Sequence, residues 1–273
     1  MRARVRPGRG ARVTARGGGQ VRYTSRLTLT TTSGRFEHLM IAQPLPEITP
    51  PIEDYLKVIY TLVRERGEER ASTSAISERM DVSAASATNM MQKLADMRLV
   101  EYVPYRGVSL TDAGEKIALE VIRHHRLIEL YLAEALGYSW DTVHDEAERL
   151  EHVISEEFED RIDAMLGHPT TDPHGDPIPP KIGRPPARAT RRLSEVEIGG
   201  CVVVRSVSDR EAEFLRQLAS LELVPGTRIT VIARQPGGAM TIERNGLPLS
   251  IDQDLARRVF VEESAVRTAS KEE

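Results

Sequence analysis

The sequence holds a single cysteine, Cys201, and aromatic residues make up only 4% of the chain. One thiol excludes a disulfide scaffold and a cysteine-based zinc cluster, and it points to a reducing compartment. So few rings argue against a single-strand binder that stacks bases on an aromatic platform. No apolar run approaches the roughly 18 residues of a transmembrane helix, which excludes one. A large net charge is missing too: 37 Lys and Arg stand against 41 Asp and Glu, a balance of −4. That average conceals two unlike parts. Residues 1–39 carry nine arginines and one acid, Glu37, a charge of +8, and the remainder carries 28 basic and 40 acidic residues, a charge of −12. With 273 residues, 40% of them hydrophobic, the chain can bury a sizeable core spread over two or three domains.

What is present narrows the question. Four of the seven histidines, His124, His125, His144 and His152, fall within 29 residues. Residues 112–167 around them hold 15 acidic and five basic groups, a local charge of −10. Such a density of acid is costly in a compact fold unless cations attend it. A metal centre is the first expectation.

Residues 1–49 read as a disordered, arginine-rich extension, with Gly and Thr and no hydrophobic period through residue 39. Three explanations stand: an over-extended start with the initiator at Met40, a basic arm on DNA phosphate, and a targeting peptide. The first is favoured because the ordered pattern begins just beyond Met40. From Pro51, Ile52, Leu56, Ile59 and Val63 repeat at helical spacing. Shorter helical segments follow over about 72–80 and 83–97, then a hairpin over 99–110 around Tyr105-Arg106-Gly107. Thr111-Asp112 caps a long helix ending near Leu136 at Gly137, and another helix is predicted over about 142–166. Residues 168–186 contain seven of the 16 prolines and read as a stiff, extended linker. Beyond it the pattern predicts strands at 201–205, 228–233, 240–244 and 258–262, turns at Pro225-Gly226 and Asn245-Gly246, and one helix near 210–221.

Two short helices and a hairpin make a winged helix-turn-helix, whose second helix enters the major groove. Its first turns offer Ser83, Ser86, Thr88 and Asn89 beside Ala84, Ala85 and Ala87, all small enough for close approach. Asn89 suits adenine, the alanines suit thymine methyls, and Lys93, Tyr105 and Arg106 suit phosphate. The plainer alternative is an ordinary helical hairpin, since residues 50–108 hold eight basic and nine acidic groups and no basic footprint. On the helix over 142–166, His144, Glu148, Glu151 and His152 share one sector, and His125 and Glu129 lie one turn apart on the preceding helix. Facing helices that pool such groups build metal sites. Carboxylates and imidazoles without sulfur suit manganese(II) or iron(II).

These segments carry the strings DYLKVIYTL, YRGVSLTDAGEKIA, HHRLIELYL, VHDEAERLEHVISEEFEDRI and DPHGDPIP. Together they make residues 51–182 resemble the diphtheria-toxin-repressor family of metal-dependent transcriptional regulators, and residues 192–263 resemble its C-terminal SH3-like domain. The resemblance implies a mainly α fold with a small β part. Its units would be a winged helix-turn-helix at 50–112, a helical metal-binding and dimerisation domain at 113–167, a proline-rich linker at 168–191, an SH3-like β-barrel at 192–265 and a tail at 266–273. It also implies a cytoplasmic homodimer, not an enzyme and with no membrane partner, that binds a palindromic double-stranded DNA operator when loaded with divalent metal, as one dimer or two.

Carried over by position, the primary site is Asp54, Glu148, Glu151 and His152. A second site is His125, Glu129 and His144, with Glu211 as its fourth member. Iron regulators of this family have Met at the position of Asp54 and Cys at that of Glu148, so the carboxylates here imply Mn2+, with Fe2+ as the alternative and Co2+ or Zn2+ as substitutes in vitro. Lys57 stands where one manganese-sensing subgroup has a ligand Glu, which disfavours a closely paired two-ion cluster. Two other classes remain: a helical metallohydrolase with an open coordination position, and a metal buffer or adaptor.

Overall fold

The computed structural model describes residues 47–264 except 184, 187, 188, 210 and 236. The arginine-rich segment 1–39 and the tail 266–273 lie outside the described residues. Among those described, no helix is long and apolar enough to cross a membrane.

Helix α1 (Pro50–Arg66) starts on two prolines, whose missing amides fall where a helix has no acceptor for them. It buries Ile52, Tyr55, Leu56, Ile59 and Leu62, and Gly67, at φ 62°, closes it. Ser72 caps α2 (Thr73–Arg79) and Ser83 caps α3 (Ala84–Asp96), each hydroxyl accepting from an amide three residues on. Strands β1 (Val100–Val103) and β2 (Gly107–Leu110) pair antiparallel, with Tyr105 at φ 63° in the tip. Ile76, Met91, Leu94, Leu99 and Val108 share one apolar core with α1. The winged helix-turn-helix follows from that core.

Thr111 caps α4 (Asp112–Leu136), which runs to Gly137 and packs against α1. The single helix predicted over 142–166 is two, α5 (Val143–Leu150) and α6 (Glu156–Met165). Ser155 ends the continuity: its hydroxyl accepts from Phe158 N, and Glu156, Glu157 and Glu159 favour a new N-terminus there. Glu151 therefore caps the end of α5, its amide still donating to the Ala147 carbonyl, and His152 sits in the turn beyond it. Apolar cores are thin in this region. Leu127, Leu130, Ile162 and Ile178 form one, and Ile128, Leu132, Val143 and Ala147 another. Buried polar groups fill the rest, among them Arg123, His124, His125, Glu129, Glu151 and Glu159. Arg123 reaches Glu159 at 2.5 Å, Asp163 at 3.2 Å and the Pro179 carbonyl at 2.9 Å.

Pro179 belongs to the proline-rich stretch, which packs down instead of running free as a linker. Asp172, His174, Asp176 and Ile178 are buried, and Asp172 accepts from the amides of His174 and Asp176. The carbonyl of His174 accepts from Val207 N, joining this strap to β3 (Cys201–Val207). Beyond it come α7 (Ala212–Ser220), β4 (Arg228–Arg234), β5 (Met240–Arg244), β6 (Leu247–Ile251), α8 (Gln253–Arg258) and β7 (Val259–Glu263). The sheet is antiparallel in the order β6-β5-β4-β3-β7. Among the described residues no ladder joins β6 to β7, so the expected barrel is an open sheet. The connection between those edges passes through α8, whose Leu255 and Ala256 fill the core instead. Neither β6 nor α8 was legible in the pattern, because β6 is a mostly exposed edge strand interrupted by Pro248.

Gly175 sits at φ 86° where the strap meets β3, and a Cβ there would lie 1.9 Å from the Arg205 carbonyl oxygen. Gly175→Ala is expected to lower unfolding free energy by about 2 kcal/mol or more, from left-handed backbone strain and the clash, measured by urea denaturation.

Candidate metal centre

Asp54 projects from α1 to the turn after α5, where its Oδ1 lies 2.9 Å from His152 Nε2. Glu151 Oε1 is 3.5 Å from the same nitrogen. One donor atom from each of Asp54, Glu151 and His152 lies within 4.8 Å of the others. Glu53, one residue earlier, bonds His152 Nδ1 at 2.6 Å, a contact the spacing had not shown. Glu148 groups instead with Glu151 and His125. Between its carboxylate and that of Glu151 stands the Lys57 ammonium, 2.7 Å from Glu148 and 2.8 Å from both oxygens of Glu151.

His125 joins this cluster to the next. Its Nδ1 is 2.5 Å from Glu151 Oε2, and its Nε2 is 3.0 Å from Glu129 and 3.1 Å from His144 Nδ1. Asp209, just after β3, completes a group with His125, Glu129 and His144. Its Oδ2 is 3.7 Å from His144 Nδ1. Glu211 is the correction. It caps α7 by position and pairs with Arg258 at 2.9 Å, and it is not a member of the cluster. Asp209 faces the cluster because the end of β3 is pinned to the strap at His174.

A third overlapping group was missed within what read as a linker. Glu129, Asp172 and His174 are all buried and offer donor atoms within 4.8 Å of one another. His174 Nε2 lies 2.8 Å from the Trp140 carbonyl, against whose indole the imidazole stacks. The N–H is thereby placed on Nε2, and Nδ1 is left facing Glu129 Oε2 at 3.6 Å. The Asp-Pro-His spacing held the signal; its proline-rich surroundings masked it.

The electrostatics are those of acid awaiting cations. Despite burial, the carboxylates of Asp54 and Glu53 raise His152 to about 10. Burial likewise opposes the rise of His125 to about 9 and of His174 to about 10, and the Glu129 carboxylate outweighs it. Burial, then Glu129 and Asp176, pushes Asp172 up to about 8. At neutral pH without metal, protons, Lys57 and the Arg126 guanidinium beside Asp172 therefore supply the positive charge. Glu129 Oε2, Asp172 Oδ2 and His174 Nδ1 are buried without a hydrogen-bond partner. Buried polar atoms of this kind call for an ion or water. Imidazole nitrogens and carboxylate oxygens without sulfur fit a hard or borderline divalent cation.

On α3, Ala85, Ser86, Asn89 and Lys93 are exposed along one face. Ser83 is exposed at the cap, and Thr88 is half-buried with its hydroxyl donating to the Ala84 carbonyl. Ala87 is a correction: it is fully buried and faces the core. Tyr105 and Arg106 are both exposed on the wing.

Three family models match the chain. Residues 47–108 match the N-terminal DNA binding domain of the iron dependent repressors, residues 111–180 their metal binding and dimerisation domain, and residues 191–263 the FeoA domain. The iron-dependent repressor IdeR of Mycobacterium tuberculosis (strain ATCC 25618 / H37Rv) is 34% identical over 233 residues, 79% of this chain and 98% of the relative. The HTH-type transcriptional regulator MntR of Oceanobacillus iheyensis is 38% identical over 120 residues, 44% of this chain and 80% of the relative. A solved manganese-dependent transcriptional repressor in complex with manganese superposes with a TM-score of 0.73 at 38% identity, covering 78% of this chain and all of that one.

The position of Asp209 separates it from Glu211 by experiment. Asp209→Asn is expected to weaken one class of bound divalent ion at least about tenfold, whereas Glu211→Gln leaves every affinity unchanged, both read by equilibrium dialysis.

Proposed function

The chain belongs to the iron-dependent repressor family, metal-dependent transcriptional repressors that bind DNA, and from that premise we propose a manganese-responsive repressor that acts as a homodimer on a palindromic operator. The observation that carries this reading is the junction of Asp54 on α1 with Glu151 and His152 in the α5–α6 turn, built without sulfur. The primary ligands are Asp54, Glu151 and His152, with Glu148, which groups with Glu151 and His125 around Lys57, as the fourth. The second set is His125, Glu129 and His144 with Asp209. Lys57 holds the place beside Glu148 and Glu151 that a paired ion would need, so the primary site takes one ion. The second reading, an iron(II)-dependent repressor, is favoured by the 34% identity to a relative named as iron-dependent.

A bound divalent ion supplies positive charge to an acidic cluster and a fixed link across it. Asp54 transmits that link, because α1 shares its core with α2, α3 and the wing. In the metal-free chain the same junction depends on a protonated His152. Val153, Phe158 and Met165 are apolar and exposed in the segment matched to the dimerisation domain, and they suit a second copy of the chain. With α1 tied, the recognition helices of a dimer hold one separation, matched to operator half-sites. DNA then tightens metal binding by the same factor. Ser83, Ala85, Ser86, Thr88 and Asn89 read the groove, and Lys93, Tyr105 and Arg106 hold phosphate. We assign residues 50–112 to DNA binding, 113–167 to metal and dimerisation, 168–191 to the connecting strap and 192–265 to the SH3-like module.

Operator affinity titrated anaerobically against free manganese, iron, cobalt and zinc tests the reading. Wild type is expected to respond to manganese at the lowest free concentration, and Asp54→Met with Glu148→Cys to shift the response toward iron(II). An unchanged preference in that double variant would sink the ligand assignment. At the groove, Lys93→Ala should weaken all sequences alike and reduce the salt slope by about one, whereas Asn89→Ala should lose discrimination at one base pair, both read by titration at several salt concentrations.

A further inference from the structure

Away from these clusters, α4 and α6 assemble another group of the same chemistry. Glu120 and His124 lie one turn apart on α4, and Glu156 stands in the first turn of α6. One donor atom from each lies within 4.8 Å of the others. His124 is 8% exposed. Its Nδ1 lies 3.1 Å from the backbone carbonyl oxygen of Glu151, so the ring N–H is donated there and the Nε2 lone pair points the other way. Nε2 is buried and has no hydrogen-bond partner. The nearest charge is Glu159 Oε2 at 3.3 Å; Glu159 is also held by Arg123, and against the cost of burial it raises His124 above the usual imidazole range, so a proton on Nε2 is what a metal ion would displace.

A lone pair facing carboxylates is repulsive unless a proton or another cation lies between them. The carboxylates themselves show the need. Burial raises the Glu120 carboxyl above the usual carboxylate range; His124 opposes the rise and Glu156 adds to it. Lys181 answers only part of it from outside, at 3.2 Å from Glu156 Oε2 and 2.5 Å from Asp160.

We propose that Glu120, His124 and Glu156 form an additional divalent-cation site, distinct from the sites on Asp54 and Glu129. Two carboxylates and one imidazole select the same hard or borderline class of ion, with water completing the shell. The backbone carbonyl that orients His124 belongs to Glu151, a proposed ligand of the primary site. The two sites are thus joined through one peptide group, the kind of outer contact that tunes a metal ligand. This inference does not depend on which metal the primary site prefers.

The test uses the full chain labelled with 15N in its histidine rings and titrated with zinc(II), which is diamagnetic. The His124 Nε2 resonance is expected to move to a metal-bound position without broadening its Nδ1–H partner, and Glu156→Gln is expected to abolish that movement. Equilibrium dialysis should find one ion fewer per chain in Glu156→Gln, or that ion bound at least about tenfold more weakly. Because Glu156 is exposed at a helix start, this variant keeps its fold, which circular dichroism checks; Glu120→Gln provides the half-buried counterpart. The proposal is overturned if His124 Nε2 stays protonated at saturating zinc, or if Glu156→Gln binds as many ions as wild type with equal affinity. Either result would mean that Glu159 pairs with an imidazolium there.

Discussion

Enclosed carboxylate sets the terms for the central part of this molecule. Glu129, Glu151, Glu159 and Asp172 are nearly or fully removed from water. An isolated buried carboxylate is expensive, so each must be met by a cation, a proton or an array of donors. In the metal-free chain three kinds of positive charge meet the demand: the Lys57 ammonium, the Arg123 and Arg126 guanidiniums, and protons held by His125, His152 and His174 well above their ordinary range. Of these, the histidine protons are the ones a divalent ion can displace while keeping the charge balance. On the proposed reading, metal sensing is an exchange of one cation for another inside an acid-lined core.

Arrangement makes that exchange consequential. The carboxylates are contributed by elements that share little apolar contact around α4, where the cores are small, while the N-terminal and C-terminal cores are each larger. His152 touches α1 through Glu53 and Asp54, and His144 touches the start of the C-terminal module through Asp209. Charge compensation at the centre is therefore transmitted to the DNA-facing part on one side and the sheet on the other. Lys57 restrains the system by taking space between Glu148 and Glu151 that another ion would use. The net acidity of the chain, which by itself speaks against DNA binding, is concentrated where cations neutralise it.

Much of this was legible. The Ile52, Leu56 and Ile59 stripe, the serine caps of α2 and α3, and the glycines closing α1 and α4 express local preferences that the tertiary structure did not override. Helical spacing placed His125 beside Glu129, and the family resemblance added His144 to them. It failed after Leu150, because periodicity carried through Val153-Ile154 conceals a new cap at Ser155. It failed again at Glu211, where proximity in sequence to Asp209 hid which carboxylate faces inward. The strap was read by its prolines, although three of its polar residues, Asp172, His174 and Asp176, turned out to be enclosed.

What the sequence alone determined was the inventory and the local order: helices, caps, a wing, an oxygen and nitrogen ligand set without sulfur, and the family to which that combination points. These follow from interactions spanning a few residues, where spacing and side-chain chemistry are sufficient. Only the tertiary structure decided which acids meet which imidazoles. That choice rests on contacts between distant segments, such as Val207 with His174, Asp54 with His152 and Lys57 with Glu148. Burial, which turns an ordinary surface carboxylate into a group that must find a cation, exists only once those segments have closed over one another.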